Sequence, residues 1–180
     1  DVATAIYDGT DAVMLSAETA IGSYPIESVK MMNKIIEEVE TDPLYLNINE
    51  ASHVKAESTA EDAITESAKY VARIMSAKAV VTYTTSGSTA LRAARERPDV
   101  PILSISPNLN TARRLALVWG VHCIHTKDAR NFKDMVLKAG RFAKKEKFAK
   151  KGDRVVITAG VPFGQSGATN VLRIASVDRY

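Results

Sequence analysis

The sequence has almost no cysteine: Cys123 stands alone among 180 residues. No intrachain disulfide can form, which sets aside disulfide-stapled secreted scaffolds and favours a reducing compartment. No apolar run approaches the roughly 20 residues of a membrane-spanning helix, so no membrane partner is expected. Nothing near the start reads as a secretory signal, and the expected location is cytoplasmic. Nucleotide fingerprints are missing as well: there is no GxxxxGK(S/T), and no GxGxxG opens a helix. ATP binding by this stretch of chain is therefore not indicated. Internal repeats and low-complexity segments are also lacking. The first residue is Asp1 rather than Met, and "DVATAIYDGTDAVMLS" reads as a start within a helix, so a fragment or processed product is expected.

What is present is the balance of a globular protein, 46% hydrophobic and 25% charged. The net charge of +3 hides an asymmetry: Asp1 to Ala60 carries 11 acids and 3 bases, and the remainder 10 acids and 21 bases. Opposite charge in the two regions predicts two structural units, the basic one suited to anionic ligands.

Periodicity divides the chain further. Asp11–Ser16 is a short apolar run and predicts a buried strand. Pro25, with Ser23 ahead of it as a candidate cap, opens a helix of about 17 residues whose apolar stripe is Ile26, Val29, Met32, Ile35, Ile36 and Val39. The stretch 42–57 has no sustained period and predicts a linker or exposed crossover. Ser58 or Thr59 caps the next helix, with Glu61 and Asp62 in its first turn and Ala63, Ile64, Ala68, Val71, Ala72 and Met75 as its apolar face. Strands are predicted at Ala79–Tyr83, Val100–Ser106, Val121–His125, Arg154–Ala159 and Val171–Val177. Between them lie helices after Gly87, at Thr111–Val118, and at about Asn131–Phe148. Pro101 fits only the start or an edge of its strand. Alternating short strands and helices predict a layered α/β domain with a mostly parallel sheet of about five strands. The last two strands have no helix between them and are expected to pair antiparallel.

Between the first strand of this domain and its helix stand Thr84, Thr85, Ser86, Gly87, Ser88 and Thr89, five hydroxyls around one glycine. A helix start leaves about four N–H groups unpaired at the positive end of its dipole. With the hydroxyls as further donors and Gly87 free to turn, the segment reads either as a nest for a tetrahedral anion or as an ordinary serine cap. A second glycine-rich loop, Gly160-Val-Pro-Phe-Gly164-Gln-Ser-Gly167, also follows a strand. Ligands of parallel sheets sit at the carboxyl ends of strands, where both loops would lie.

Three other features carry less. His122, Cys123 and His125 cannot all share one face of a strand, and two ligands make no metal site; strand packing is expected. "KAGRFAKKEKFAKKGDR" holds eight bases. It interleaves them with Phe142, Ala143 and Phe148 as a solvated helix face with an apolar stripe would, so no nucleic-acid partner is expected. Trp119 suits a core or a subunit interface equally.

Taken together the segments resemble pyruvate kinase of the bacterial type. "DVATAIYDGTDAVMLSAETAIGSYPIESVKMM" resembles the end of that family's (β/α)8 barrel, with Ser16, Glu18 and Thr19 matching its Ser-x-Glu-Thr segment and Gly22, Tyr24 and Pro25 its following turn. "TTSGSTA" resembles the phosphate loop of the C-terminal regulatory domain, and "KKGDRVVITAGVPFGQSGATN" its closing strand and effector loop.

The resemblance implies a barrel remnant over 1–41, a linker over 42–57 and an effector-binding and assembly domain over 58–180. It implies a parent enzyme that transfers phosphoryl from phosphoenolpyruvate to ADP with Mg²⁺ and K⁺ as a homotetramer. The family's catalytic lysine and metal carboxylates lie upstream of the matched part, so this chain alone is expected to be inactive, with no catalytic residue and no bound metal. Glu18, at the carboxyl end of its strand, is expected to hold its loop through hydrogen bonds rather than line the nucleotide side of the cleft. Thr84, Thr85, Ser86, Gly87, Ser88 and Thr89 match the loop around one effector phosphate, and Phe163, Gly164, Gln165, Ser166, Gly167 and Ala168 the closing loop. Thr85 and Ser88 stand where fructose-bisphosphate-responsive members have lysine and arginine, and Met135 where they supply a second arginine. A monophosphate effector is thus expected over a bisphosphate. A freestanding phosphate-binding module and a basic nucleic-acid-binding domain are the alternatives.

Overall fold

The structure is a computed structural model that describes residues 1–51, 55–163 and 169–177. The chain forms two compact units, Asp1–Val54 and Lys55–Tyr180.

The first unit is helical. It contains α1 (Val2–Tyr7), the single turn α2 (Ala17–Ala20), α3 (Pro25–Thr41) and α4 (Pro43–Ala51). Pro25 opens α3, where its missing N–H costs nothing. Ser23 is not the cap: Tyr24 takes that position without a side-chain hydrogen bond. Ile6, Val39 and Tyr45 form the buried centre, with Ile35 and Ile36 against it.

Two expectations fail in this unit. Asp11–Ser16 is not a strand, and Met14 is 85% exposed. A strand exists only through ladder bonds to a neighbour, and the described strands of this chain all belong to one sheet in the other unit. The segment 42–57 is not simply a linker, since α4 occupies most of its first half. Asp42 accepts the Leu44 N–H at 2.8 Å, Pro43 starts the turn, and the Tyr45 ring packs edge-on against Tyr7 with centroids 6.3 Å apart. The stretch is nearly aperiodic because one buried residue, Tyr45, holds the helix.

The second unit is the layered α/β domain. α5 (Ala60–Ile74) leads into β1 (Val80–Tyr83), α6 (Ser88–Arg95), β2 (Ile102–Ser106), α7 (Leu109–Leu115), β3 (Val121–His125), α8 (Phe132–Lys145), β4 (Arg154–Ala159) and β5 (Val171–Ser176). The sheet order is β3-β2-β1-β4-β5. β1, β2, β3 and β4 run parallel, and β5 runs antiparallel to β4. Pro101 lies just ahead of β2, where its missing donor does not break the ladder.

Both sheet faces are covered, as a parallel sheet requires. On one face Val81, Tyr83, Leu103, Ile105, Val155 and Ile157 pack against Met135, Ala139, Phe142 and Ala143 of α8. On the other, Val80 and Val156 meet Ala68 and Ala72 of α5, and Ile102 meets Ala93 and Ala94 of α6. The small residues of α5 and α6 let the helix axes lie close to the sheet.

The buried face of α5 is rotated from the expected one. Asp62, Thr65, Ala68, Lys69 and Ala72 are buried, while Ala63 is exposed and Ile64 is only half-buried. The cause is polar. Asp62 accepts Arg95 Nη2 at 2.8 Å, Arg92 Nε at 3.1 Å and the Glu57 N–H at 2.9 Å, so a carboxylate faces α6 where an apolar side chain was expected.

Candidate functional site

The carboxyl end of β1 is where the hydroxyl-rich segment begins. Tyr83 closes the strand, and its hydroxyl donates to the Met135 carbonyl at 2.8 Å. Burial, with the nearby Asp134 and Asp128 charges, pushes its phenol far above the ordinary tyrosine value. The Thr84 N–H donates to the Ile105 carbonyl at 3.0 Å, so the loop leaves the sheet from a fixed point.

The loop then turns on Gly87, whose φ of +102° belongs to the left-handed region. The Gly87 N–H donates to Thr84 Oγ1 at 2.9 Å, closing the turn. A Cβ on Gly87 would stand 3.4 Å from Thr111 Cγ2 and 3.6 Å from Leu115 Cδ2, ordinary contacts, so it is the left-handed backbone that selects glycine. Ser86 is the exposed apex, with its hydroxyl 3.2 Å from Ser88 Oγ. Ser88 opens α6, whose first-turn N–H groups have no partner within the helix.

The six residues divide by role. Thr84, Gly87 and Thr89 are buried and engaged inside the protein, whereas Thr85 and Ser88 are half-buried and Ser86 is exposed. Thr89 Oγ1 lies 2.7 Å from Thr169 Oγ1, with both side chains buried. Thr169 directly follows the second loop, so this bond fixes that loop's exit beside the first loop. At the base of that second loop, Asn170 accepts the Val161 N–H at 2.9 Å and donates to the Val161 carbonyl at 2.7 Å. Phe163 packs edge-on against Phe132 at the start of α8, with centroids 5.5 Å apart. Gly164, Gln165, Ser166, Gly167 and Ala168 lie outside the described residues.

Sequence reasoning missed the third wall of the site, which is α7. Asn108 caps that helix, accepting the N–H groups of Asn110 and Thr111. Thr111 Oγ1 donates to the Thr85 carbonyl at 2.9 Å, and Arg114 Nη2 donates to the Ser86 carbonyl at 3.2 Å. No local signal marks these residues, because their distance from the loop depends on β2 lying beside β1.

Other candidates resolve simply. Met135 is fully buried in the core and offers no charge. Cys123 is half-buried, and desolvation pushes its thiol up to about 11, away from nucleophile or metal-ligand chemistry. His122 Nε2 stands 3.1 Å from Glu146 Oε2 and packs on Phe148. Glu18 accepts the Ser16 N–H at 3.0 Å, and hydrogen bonds from its own and the Ser16 backbone hold its carboxyl below the ordinary value. Among the described residues no group of three or more His, Cys, Asp and Glu could hold a metal ion. Nor, among them, is any helix long and apolar enough to cross a membrane. On the basic helix, Asn131 caps through the Asp134 N–H, while Asp134 accepts the Arg130 N–H and pairs with Lys138 at 3.1 Å. Phe142 and Ala143 are buried, forming the expected apolar stripe.

A mostly parallel sheet covered on both faces, with the hydroxyl-rich loop at its carboxyl edge, defines the second unit as an open-sheet α/β domain. Comparison with known proteins gives it a family. The family described as pyruvate kinase, alpha/beta domain, matches residues 62–175, and pyruvate kinase, barrel domain, matches residues 1–29. A pyruvate kinase of Methylorubrum extorquens is 51% identical over 179 residues, covering 99% of this chain and 37% of that protein. One of Geobacillus stearothermophilus is 42% identical over 97% of this chain and 30% of its own length. In structure, the chain is similar to a pyruvate kinase of Cryptosporidium parvum, with a TM-score of 0.87 and 30% identity over 98% of this chain and 35% of that one. The chain belongs to the pyruvate kinase family and spans about a third of the length of these relatives.

Proposed function

We propose that this chain is the C-terminal portion of a cytoplasmic pyruvate kinase. The parent transfers phosphoryl from phosphoenolpyruvate to ADP, giving pyruvate and ATP. In it, this portion binds a phosphorylated effector and contributes to homotetramer contacts. The observation that carries the effector reading is the buried Thr89–Thr169 hydrogen bond. It holds the hydroxyl loop and the flank of the glycine-rich loop at one sheet edge, where parallel α/β folds bind their ligands.

The chemistry follows from the parts. The first-turn N–H groups of α6 and the Ser86 and Ser88 hydroxyls are donors to phosphate oxygens, and the helix dipole favours the anion. Such charge-assisted bonds contribute about 1.5–3 kcal/mol each at most. The loop itself holds no lysine or arginine, and Met135 is enclosed in the core. One phosphate is therefore the natural ligand, at micromolar to millimolar strength on the order of other small anion sites. Among the described residues no group of three or more His, Cys, Asp and Glu would hold the Mg²⁺ of the parent reaction. No step of the reaction is assigned to metal in this chain, and the chain alone is expected to be inactive.

The test is a calorimetric titration of the chain with a sugar monophosphate and with fructose bisphosphate. Ser86→Asp places a carboxylate where the anion would sit, and a carboxylate is tolerated at a helix start. The variant is expected to keep its fold and lose binding. Equal binding by Ser86→Asp would refute the phosphate-loop reading.

A further inference from the structure

We propose that Arg114, on α7, is the cation of the phosphate site and takes one oxygen of the bound anion. This rests on reading Thr84–Thr89 as a phosphate loop, and it names the one charged side chain that reading leaves unassigned.

The loop has no charge of its own, and α7 supplies what it lacks. Three α7 residues meet the loop: Thr111 holds the Thr85 carbonyl, Leu115 packs under Gly87, and Arg114 reaches the Ser86 carbonyl at 3.2 Å. Ser86 is the exposed apex, so the guanidinium stands beside the exposed part of the loop. Arg114 is itself exposed. Its bond to Ser86 uses one of five guanidinium N–H donors. Among the described residues the others have no partner, and they can form the fork that suits a phosphate.

The two arginines of α6 are committed elsewhere. Arg92 and Arg95, on α6 itself, are tied to the buried Asp62 carboxylate at 3.1 and 2.8 Å. Their cations serve the α5–α6 joint. Arg113 is exposed on α7, but one residue along a helix is a turn of about 100° away from the Arg114 direction. It therefore serves as a control of equal charge.

This assignment also bears on selectivity. A guanidinium keeps its charge at every working pH, whereas a phosphate monoester gains its second negative charge near pH 6. With Arg114 as partner, the dianion is preferred and affinity rises between pH 5 and 7.

The experiment titrates the 180-residue chain with methyl phosphate, at two salt concentrations, for wild type, Arg114→Gln, Arg114→Lys, Arg113→Gln and Ser86→Asp. Arg114→Gln is expected to bind about ten- to a hundredfold more weakly. Its affinity should also fall less steeply with salt than that of wild type. Arg114→Lys should be intermediate, Arg113→Gln close to wild type, and ligand-free thermal midpoints equal. Equal binding by Arg114→Gln and wild type, with Ser86→Asp still abolishing it, overturns the role of Arg114 alone. Equal losses in Arg114→Gln and Arg113→Gln overturn it too, since the effect would then be net charge. Absence of binding by wild type, or retention by Ser86→Asp, removes the phosphate-loop reading and this proposal with it.

Discussion

Asp62 and Arg95 form an ion pair of 2.8 Å between the first turn of α5 and the last turn of α6, with the carboxylate side chain only 3% exposed. The Glu57 N–H, then the two arginines, hold the Asp62 carboxyl below its ordinary value against the opposing cost of burial. A group whose folded pKa is depressed stabilises the fold above its unfolded pKa and loses that contribution as pH falls through the folded one. The domain is therefore expected to lose stability below about pH 4, the ordinary aspartate range. Asp62→Asn should flatten this acid limb and cost about 1–3 kcal/mol at pH 7, moderated because both arginines are one-third exposed. Urea denaturation across pH 3–7 measures both.

Removing one hydroxyl of the loop-joining pair leaves the other buried without its partner. Thr89→Val is expected to cost about 1–3 kcal/mol. Replacing both Thr89 and Thr169 with valine should cost less than the two single changes combined, because no orphan remains. A double-mutant cycle by chemical denaturation reads the coupling; strict additivity would show that the bond contributes nothing.

Gly87→Ala meets one penalty, a left-handed backbone, since its Cβ would make only ordinary contact with Thr111 Cγ2 at 3.4 Å. The backbone term is about 1–2 kcal/mol. The thermal midpoint should drop by several degrees, and the loop should lose anion affinity as its turn relaxes out of the left-handed conformation. An unchanged midpoint would contradict the left-handed conformation of Gly87.

Thr158 is fully buried on β4, and its hydroxyl has no hydrogen-bond partner among the described residues. It pairs in register with Thr82, whose own hydroxyl is spent on Ser104 at 2.6 Å. Thr158→Val keeps the shape and removes an unsatisfied polar atom, so it is expected to stabilise the domain by about 1 kcal/mol. The urea midpoint should rise with an unchanged m-value; a lower midpoint would mean that the hydroxyl has a partner after all.

Much of this architecture is legible along the chain because its causes are local. Arg154–Ala159 and Val121–His125 are strands at the expected bounds, since uninterrupted apolar or β-prone runs flanked by Gly152 and Gly120 leave few other options. Thr59 and Asn131 start helices because a side-chain oxygen three residues ahead of an N–H is a short-range fact. The hydroxyl loop was visible for the same reason. The misreadings share the opposite cause. Asp11–Ser16 has the composition of a strand but no neighbour to pair with among the described residues, and a ladder is not a property of one segment. Asp62 looked like a first-turn acid, yet its burial follows from two arginines some thirty residues on. Thr89 meets Thr169 across eighty positions, and Arg114 meets Ser86 across twenty-eight. Those meetings depend on the sheet order, with β2 on one side of β1 and β4 on the other. Periodicity and capping set what each segment becomes; which segments lie side by side follows from burying both faces of one sheet at once, and that condition exists only in the assembled fold.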